Sequence, residues 1–319
     1  MNKIIISVLF VLLLSSCGKK DEKVENAILR ANLALTRGQC QEAISILELE
    51  GRQNHNDSYL KTLASAYACK SGYSTTVLFG TDLAKISDVN LLFREFSTFT
   101  TSPNDAVDNV NFTNLQAALD IILYAGGLSL TLNPTSDLRL AAFGDKGKDI
   151  NSFGFYLSMA QLGKFNYFYG NASALTGAKG GGGQGNPCYL DYNASVDAFL
   201  TSIGTTGTCA PGSNSGHTDL VAGADLVNLQ NACHGIILFN NFIDTLDSFI
   251  NSATSDEFSD FKLLGTAIEL LKAAILVAKP TFDTRLFDTT SQARCENLFA
   301  GNDEDIMYFY AGIFETLHR

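Results

Sequence analysis

Apolar residues along this 319-residue chain recur at the spacing of a helix rather than a strand. Leu229, Ala232, Ile236, Phe239, Ile243, Leu246 and Ile250 step by three and four in turn, with Asn228, Asn231, Asn240, Asn241, Asp244 and Asp247 among their polar interruptions. That is the 3.6-residue period of a helix face pressed onto a core. Ile237, Leu238, Phe242 and Phe249 widen the stripe, so this helix is expected at the centre of the C-terminal half, buried on more than one side. A second stripe, Phe258, Phe261, Leu264, Ile268, Leu271, Ile275 and Ala278, stops at Pro280. A third, Ile306, Tyr310, Ile313 and Leu317, closes the chain. Alternating strand-like segments are nearly absent, which predicts an all-α fold. Loops are expected around Pro103, around Pro134 and over 171–218, where glycine-rich runs break the periodicity except for a short helix over Ser195–Ile203.

The N-terminus has a different design. Lys3 precedes an apolar run from Ile4 to Leu14, broken only by Ser7 and too short to span a bilayer comfortably as a mature helix. Leu14-Ser15-Ser16-Cys17 follows it and resembles the lipobox of bacterial lipoproteins. The resemblance implies cleavage before Cys17 and diacylglyceryl attachment to its thiol. Each buried methylene contributes ~0.8 kcal/mol, so several acyl chains on one residue make a durable anchor. Gly18, rather than an aspartate, follows the cysteine, and the resemblance then implies the outer membrane, facing the periplasm, over the inner membrane. The charged stretch Lys19-Lys20-Asp21-Glu22-Lys23 reads as part of a flexible leash.

Composition narrows the partners. The chain carries 33 acidic and 22 basic residues, and loss of the signal removes one lysine and no acid, leaving a net charge near −12. Nucleic acid and anionic headgroups are thereby disfavoured as ligands of the folded body. Besides Cys17 there are six cysteines, Cys40, Cys69, Cys188, Cys209, Cys233 and Cys295, which in an oxidising compartment suggest up to three disulfides. Fifteen connectivities are open. Spacing favours Cys40 with Cys69 and Cys188 with Cys209, which are sequence neighbours beside expected helix ends, and Cys233 with Cys295 as the remainder.

Residues 27–73 resemble tetratricopeptide repeats. Ala31, Ala34, Gly38, Ala43 and Leu47 occupy the small, turn and large apolar positions, and Leu60, Ala64, Tyr67 and Gly72 restart the pattern, Gly72 displaced by one position. Phe153, Tyr156, Ala160, Gly163 and Tyr167 echo it, with Gly163-Lys164-Phe165 resembling the turn into a second helix. His55 stands near the place of the usual terminating proline, and the later helices do not keep the period. The resemblance implies an α-solenoid-like array of helical hairpins, stapled by disulfides and interrupted by a Gly-rich loop excursion. An ordinary helical bundle is the alternative. The expected divisions are a signal peptide over 1–16, a tether over 17–25, an N-terminal helical repeat region over 26–170, a Gly-rich loop region over 171–220, and a C-terminal helical region over 221–319 that is continuous with 26–170.

No motif specifies catalysis. Nucleophile elbows, His-Glu-x-x-His, calcium loops and phosphate loops are absent, and Gly180 to Gly183 with Gly185 lack the Lys-Ser/Thr of a phosphate loop, so they read as a flexible surface excursion. Asp303-Glu304-Asp305 precede a helical stripe and read as charges at a helix N-terminus. The histidines, His55, His217, His234 and His318, have no spacing that ties them to a catalytic or metal group, and Cys233-His234 are adjacent, hence about 100° apart on a helix. No metal and no cofactor are expected. Phe153, Tyr156, Phe165, Tyr167 and Tyr169 are candidate groove aromatics, with packing in the core as the other reading.

The resulting expectation is a membrane-anchored, non-enzymatic scaffold or adaptor that binds an envelope protein or a small ligand. Alternatives are a repeat-type lipoprotein associated with tripartite substrate-binding transporters, an envelope hydrolase with its site near Cys188 to Asp219, and a purely structural component. The lipid expectation is tested by growing cells with labelled palmitate: the wild-type chain takes the label and fractionates with membranes, and Cys17→Ser loses both properties. Label retained on Cys17→Ser overturns the assignment.

Overall fold

The computed structural model describes residues 21–183, 186–205, 209, 215–223, 226–252 and 259–319. The lipobox-like segment Leu14-Ser15-Ser16-Cys17 lies outside these residues, as do Gln184, Gly185, Phe258 and parts of the later glycine-rich loop. The fold is all-α, with one short antiparallel ribbon of Val221–Gly223 and Leu226–Val227. No helix among the described residues is long and apolar enough to cross a membrane.

The first three helices, α1 (21–35), α2 (Cys40–Glu48) and α3 (Asp57–Lys70), form two successive hairpins. Asp21 to Glu25 are already helical and Val24 is buried, so the leash expected over 17–25 gives way to the folded body within that stretch. Gly38 makes the first turn with φ of 70°, a left-handed conformation that costs glycine little. Asn56 caps α3 by accepting from the Tyr59 N–H at 2.9 Å. Ala31, Ala34, Ala43, Leu47, Leu60 and Ala64 are all buried, which lets the three helices approach closely. A disulfide between Cys40 and Cys69 ties the start of α2 to the end of α3, with Cα atoms 5.6 Å apart.

Beyond the short helix α4 (Leu92–Phe96), packing is organised around one long helix. The later helices are α5 (Val110–Leu123), α6 (Ser136–Phe143), α7 (Lys146–Tyr169), α8 (Ala194–Ser202), α9 (Leu229–Ser252), α10 (Ser259–Ala278), α11 (Gln292–Phe299) and α12 (Asp303–Phe309). The last runs into a π-helical stretch, Tyr310–Glu315. Helix α7 packs against α3, α4, α5, α6 and α9, and most of its residues between Ile150 and Asn166 are buried. The widened stripe of α9 is its main partner: Phe155 stacks on Phe242 and Phe249 with ring centroids 5.5 and 4.8 Å apart. The centre is therefore the α7–α9 pair rather than α9 alone.

The turn expected at Gly163 is absent. Gly163 lies inside α7, where a Cβ would sit 2.5 Å from the Phe96 carbonyl oxygen, so the glycine serves close approach of α4 rather than chain reversal. The glycine-rich excursion is also less free than expected at its first end. Gly180 N–H donates to the Gly170 carbonyl at 2.9 Å, Gly182 N–H to the Asn171 carbonyl at 2.7 Å, and Lys179 pairs with the buried Glu315 near the C-terminus.

The sharpest polar clasp is at Arg139, whose side chain is wholly buried. Its guanidinium donates to Asn151 Oδ1 at 2.6 Å, Leu123 O at 3.2 Å, Ser136 Oγ at 3.1 Å and Asp244 Oδ2 at 2.9 Å. It thus joins α6 to α5, α7 and α9 at a single point. Losing the guanidinium leaves Asp244 with the Ser136 N–H and Oγ hydrogen bonds alone, at a cost of ~1–3 kcal/mol. Urea unfolding of Arg139→Met is expected to show a loss of that order. A change within about 0.5 kcal/mol, the range of an ordinary surface substitution, refutes the clasp.

Candidate ligand-binding cleft

Three helices that are distant in sequence converge on a cleft of about 520 Å³. From α5 come Gln116 and Asp120, four residues apart on one face, with Tyr124 just beyond the helix end. The first turns of α9 supply Gln230, Asn231, His234 and Ile237, again at helical spacing. Helix α11 adds Gln292, Ala293 and Glu296, and Leu130 reaches in from a loop. The second and third walls are bolted together by the Cys233–Cys295 disulfide, with Cα atoms 5.7 Å apart. His234 and Glu296 each follow one of these cysteines, so the covalent bond holds both at the cleft.

Asp120, Tyr124 and Leu130 also border a second concavity of about 290 Å³ whose far side carries Glu48, Arg52, Leu63 and Tyr67. Tyr67 donates to Glu48 Oε1 at 2.7 Å across the hairpin that the Cys40–Cys69 bond closes. Burial and that carboxylate push the Tyr67 phenol up to about 12.

A hydrogen-bond chain inside the cleft has one allowed polarity. Gln116 Oε1 is met by Gln161 Nε2 and by His234 Nε2, both at 3.1 Å, while Gln116 Nε2 donates to Asp120 Oδ1 at 2.8 Å. An amide oxygen only accepts, so His234 carries its proton on Nε2. Gln161, wholly buried on α7, also donates to the Phe112 carbonyl at 3.3 Å and thereby holds the Gln116 amide in place. Burial pushes the His234 imidazole down to about 4, so it is neutral at ordinary pH. Burial raises the Asp120 carboxyl to about 6 against the opposing effects of the Gln116 hydrogen bond and the Arg52 charge. Across the cleft, Glu296 Oε1 accepts from Gln292 Nε2 at 2.6 Å. Among the described residues neither Asp120 nor Glu296 forms an ion pair.

The candidate groove aromatics lie elsewhere. Phe165 and Tyr169 are buried, with centroids 4.5 Å apart, and Phe153, Tyr156 and Tyr167 are half-buried. Tyr156 packs edge-on to Phe79 at 4.9 Å and to Phe249 at 5.6 Å. Phe165 and Tyr169 thus belong to the core, Phe153 and Tyr156 pack against it from its edge, and none of the five rings lines this cleft.

The region near Cys188 to Asp219 is likewise packed. Cys188, Tyr189, Tyr192 and His217 are buried, and Cys188 is bonded to Cys209. Glu315 accepts from Tyr189 N–H at 2.8 Å and from Tyr192 O–H at 2.7 Å in addition to its Lys179 pair. Cys188, Cys209 and Glu315 come close together, but two disulfide-bonded sulfurs and an already occupied carboxylate offer a metal no coordination. His318 Nε2 donates to the Gly177 carbonyl at 2.9 Å and its Nδ1 meets the Tyr189 hydroxyl at 2.5 Å, so the C-terminus is locked onto this region. Burial pushes the His318 imidazole down to about 3.

Asp305 and Glu304, at the first turn of α12, pair with Lys279, each at 2.7 Å. No protein-family model, characterised protein or solved structure matches the chain. Its class is therefore defined by its own geometry: an all-α, disulfide-stapled protein with a polar cleft.

The state of Asp120 gives a directional test. Its folded pKa of about 6 lies above the ordinary carboxylate value of 3.8. Above pH 6 the fold bears the cost of a desolvated charge, and below pH 3.8 both states are protonated and that cost vanishes. Asp120→Asn keeps the acceptor for Gln116 and removes the charge. It is expected to stabilise the protein at pH 8 by on the order of 1–2 kcal/mol, discounted for partial exposure, with the gain fading between pH 6 and 4. Thermal unfolding across that pH range checks this, and an equal effect at pH 8 and pH 4 contradicts it.

Proposed function

We propose that the protein is a lipid-anchored bacterial envelope lipoprotein that binds a ligand non-catalytically, with the α5–α9–α11 cleft as the seat. The observation that carries this reading is the cleft's combination of apolar lining, the buried Ile237 with Ala293 and the exposed Leu130, with amides and carboxylates held in set orientations. A pre-organised polar rim around an apolar floor loses little entropy on binding and reads ligand shape and charge. Three disulfides support an oxidising compartment. The lipobox resemblance supplies the anchor, and the cleft would present its ligand to an envelope partner at the membrane face.

A hydrolytic reading has one observation in its favour: Asp120, held near pH 6, and Glu296 border the same cleft. Two carboxylates on one cleft are the minimum for glycosidase-type acid–base work. Against it, Gln116 separates His234 from Asp120, and a side-chain amide does not relay protons as an acid–base group does. None of the residues lining the cleft is a serine, cysteine or lysine that could act as an activated nucleophile.

A thermal-shift screen of the mature protein against a library of small metabolites tests the seat. A ligand present at about 100 times its Kd stabilises the fold by ~2.7 kcal/mol, equivalent to several degrees for a chain of this size. Ala293→Trp fills the cleft and is expected to abolish the shift. Gln230→Trp at the exposed rim serves if the first variant perturbs folding. Hits that stabilise wild type and blocked variants alike place the seat elsewhere.

A further inference from the structure

The reading of the cleft as the binding seat leaves open which ligands it takes, and this inference rests on that reading. We propose that the cleft selects an aliphatic polyamine, with ammonium groups meeting Asp120 and Glu296 and the methylene chain lying on Ile237, Leu130 and Ala293.

The main cleft contains two carboxylates and no lysine or arginine in its lining, and neither carboxylate is neutralised by an ion pair among the described residues. Each accepts a hydrogen bond from a neutral amide, Gln116 Nε2 to Asp120 and Gln292 Nε2 to Glu296. Amides orient a carboxylate and do not balance its charge. A half-buried charge without a counter-ion is costly, and the ligand that recovers most of that cost is a cation. A neutral polyol would satisfy the hydrogen bonds and leave the charge unmatched. An anion would meet both carboxylates repulsively.

Geometry adds selectivity between cations. Asp120 belongs to α5 and Glu296 to α11, so the two charges come from different helices of the lining, and Ile237, Leu130 and Ala293 line the same cavity. A compact ion would reach one carboxylate and leave the floor wet. A flexible chain with amines along it can meet both carboxylates and cover apolar lining as well. The net charge of −11 further raises the local concentration of polycations by long-range attraction.

Binding should strengthen as pH rises, because the ligand needs Asp120 ionised. The groups facing Asp120 are Gln116 on its own helix, Tyr124 beyond it, His234 on α9, Glu296 on α11, and Glu48, Tyr67 and Arg52 across the second concavity. His234 is already neutral in this range, and Asp120, raised by burial to about 6, is the group whose ionisation the ligand needs between pH 5 and 7.

The test is isothermal titration of the mature protein with spermidine, and with triethylene glycol as a neutral chain of equal backbone length. Spermidine is expected to bind at about pH 8, to weaken about tenfold near pH 5, and to weaken at least tenfold in Asp120→Asn and in Glu296→Gln, while triethylene glycol gives no heat. Asp120→Asn is expected to fold at least as well as wild type, so a loss of affinity there is not a loss of structure. If triethylene glycol or trehalose binds as tightly as spermidine and Ala293→Trp abolishes it, the cleft stands and the polyamine assignment falls. If spermidine binds wild type and Ala293→Trp equally, the seat itself falls. Absence of spermidine binding while the metabolite screen yields cleft-dependent hits overturns the polyamine assignment alone.

Discussion

Helix α7 is enclosed on several sides and yet carries Asn151, Gln161, Lys164 and Asn166 in the interior, and neighbouring elements supply partners to most of their polar atoms, Gln161 Oε1 and Asn166 Nδ2 excepted. A buried polar group without a partner costs about 1–3 kcal/mol, so each of these residues demands one from another element. Asn151 accepts from Arg139 and donates to Ser248, Gln161 donates to Gln116 and the Phe112 carbonyl, and Asn166 Oδ1 lies 3.0 Å from the Tyr189 hydroxyl. Lys164 donates to the Pro103 carbonyl, and burial pushes its ammonium down to about 8. Apolar packing against α9 sets the distance of the pair, and the polar bonds set its register.

The same constraint reaches the cleft. Gln161 is an interior residue of α7, and its amide fixes the amide of Gln116, which in turn orients Asp120 and determines the tautomer of His234. The disulfides act at the other end of the problem. Cys233–Cys295 sets the spacing of the walls that carry His234 and Glu296, and Cys40–Cys69 closes the hairpin that carries Glu48 and Tyr67. Core, staples and cleft are therefore one mechanical unit, in which the site is rigid because its neighbours have nowhere else to go.

Much of this was legible locally. The stripes of α9, α10 and the C-terminal helix appear where the 3.6-residue period places them, and the three cysteine pairs are those that spacing favoured. The pattern failed at Gly163, where a small residue chosen for close helix contact has the same letter as one chosen for a turn. It also gave no sign of α7 as the hub, because a helix covered on several sides has no polar face and hence no clean stripe. The aromatic run in α7 was the most visible candidate for function; Phe165 and Tyr169 of that run are buried in the core, and none of its rings lines the cleft. Gln116 with Asp120 at a four-residue step was the available signal for the cleft, yet that spacing occurs on many solvated helices.

What the sequence by itself determined is what neighbours along the chain encode: helix content, the hairpins of the first fifty or so folded residues, and the pairing of cysteines beside helix ends. The tertiary structure alone decided which helix is central, which polar residues are buried, and that Asp120, His234 and Glu296 share a cleft. The physical reason is that periodicity reports whether a residue faces inward but not what it faces. The cleft is assembled from three segments more than fifty residues apart, and only packing around α7 brings them together.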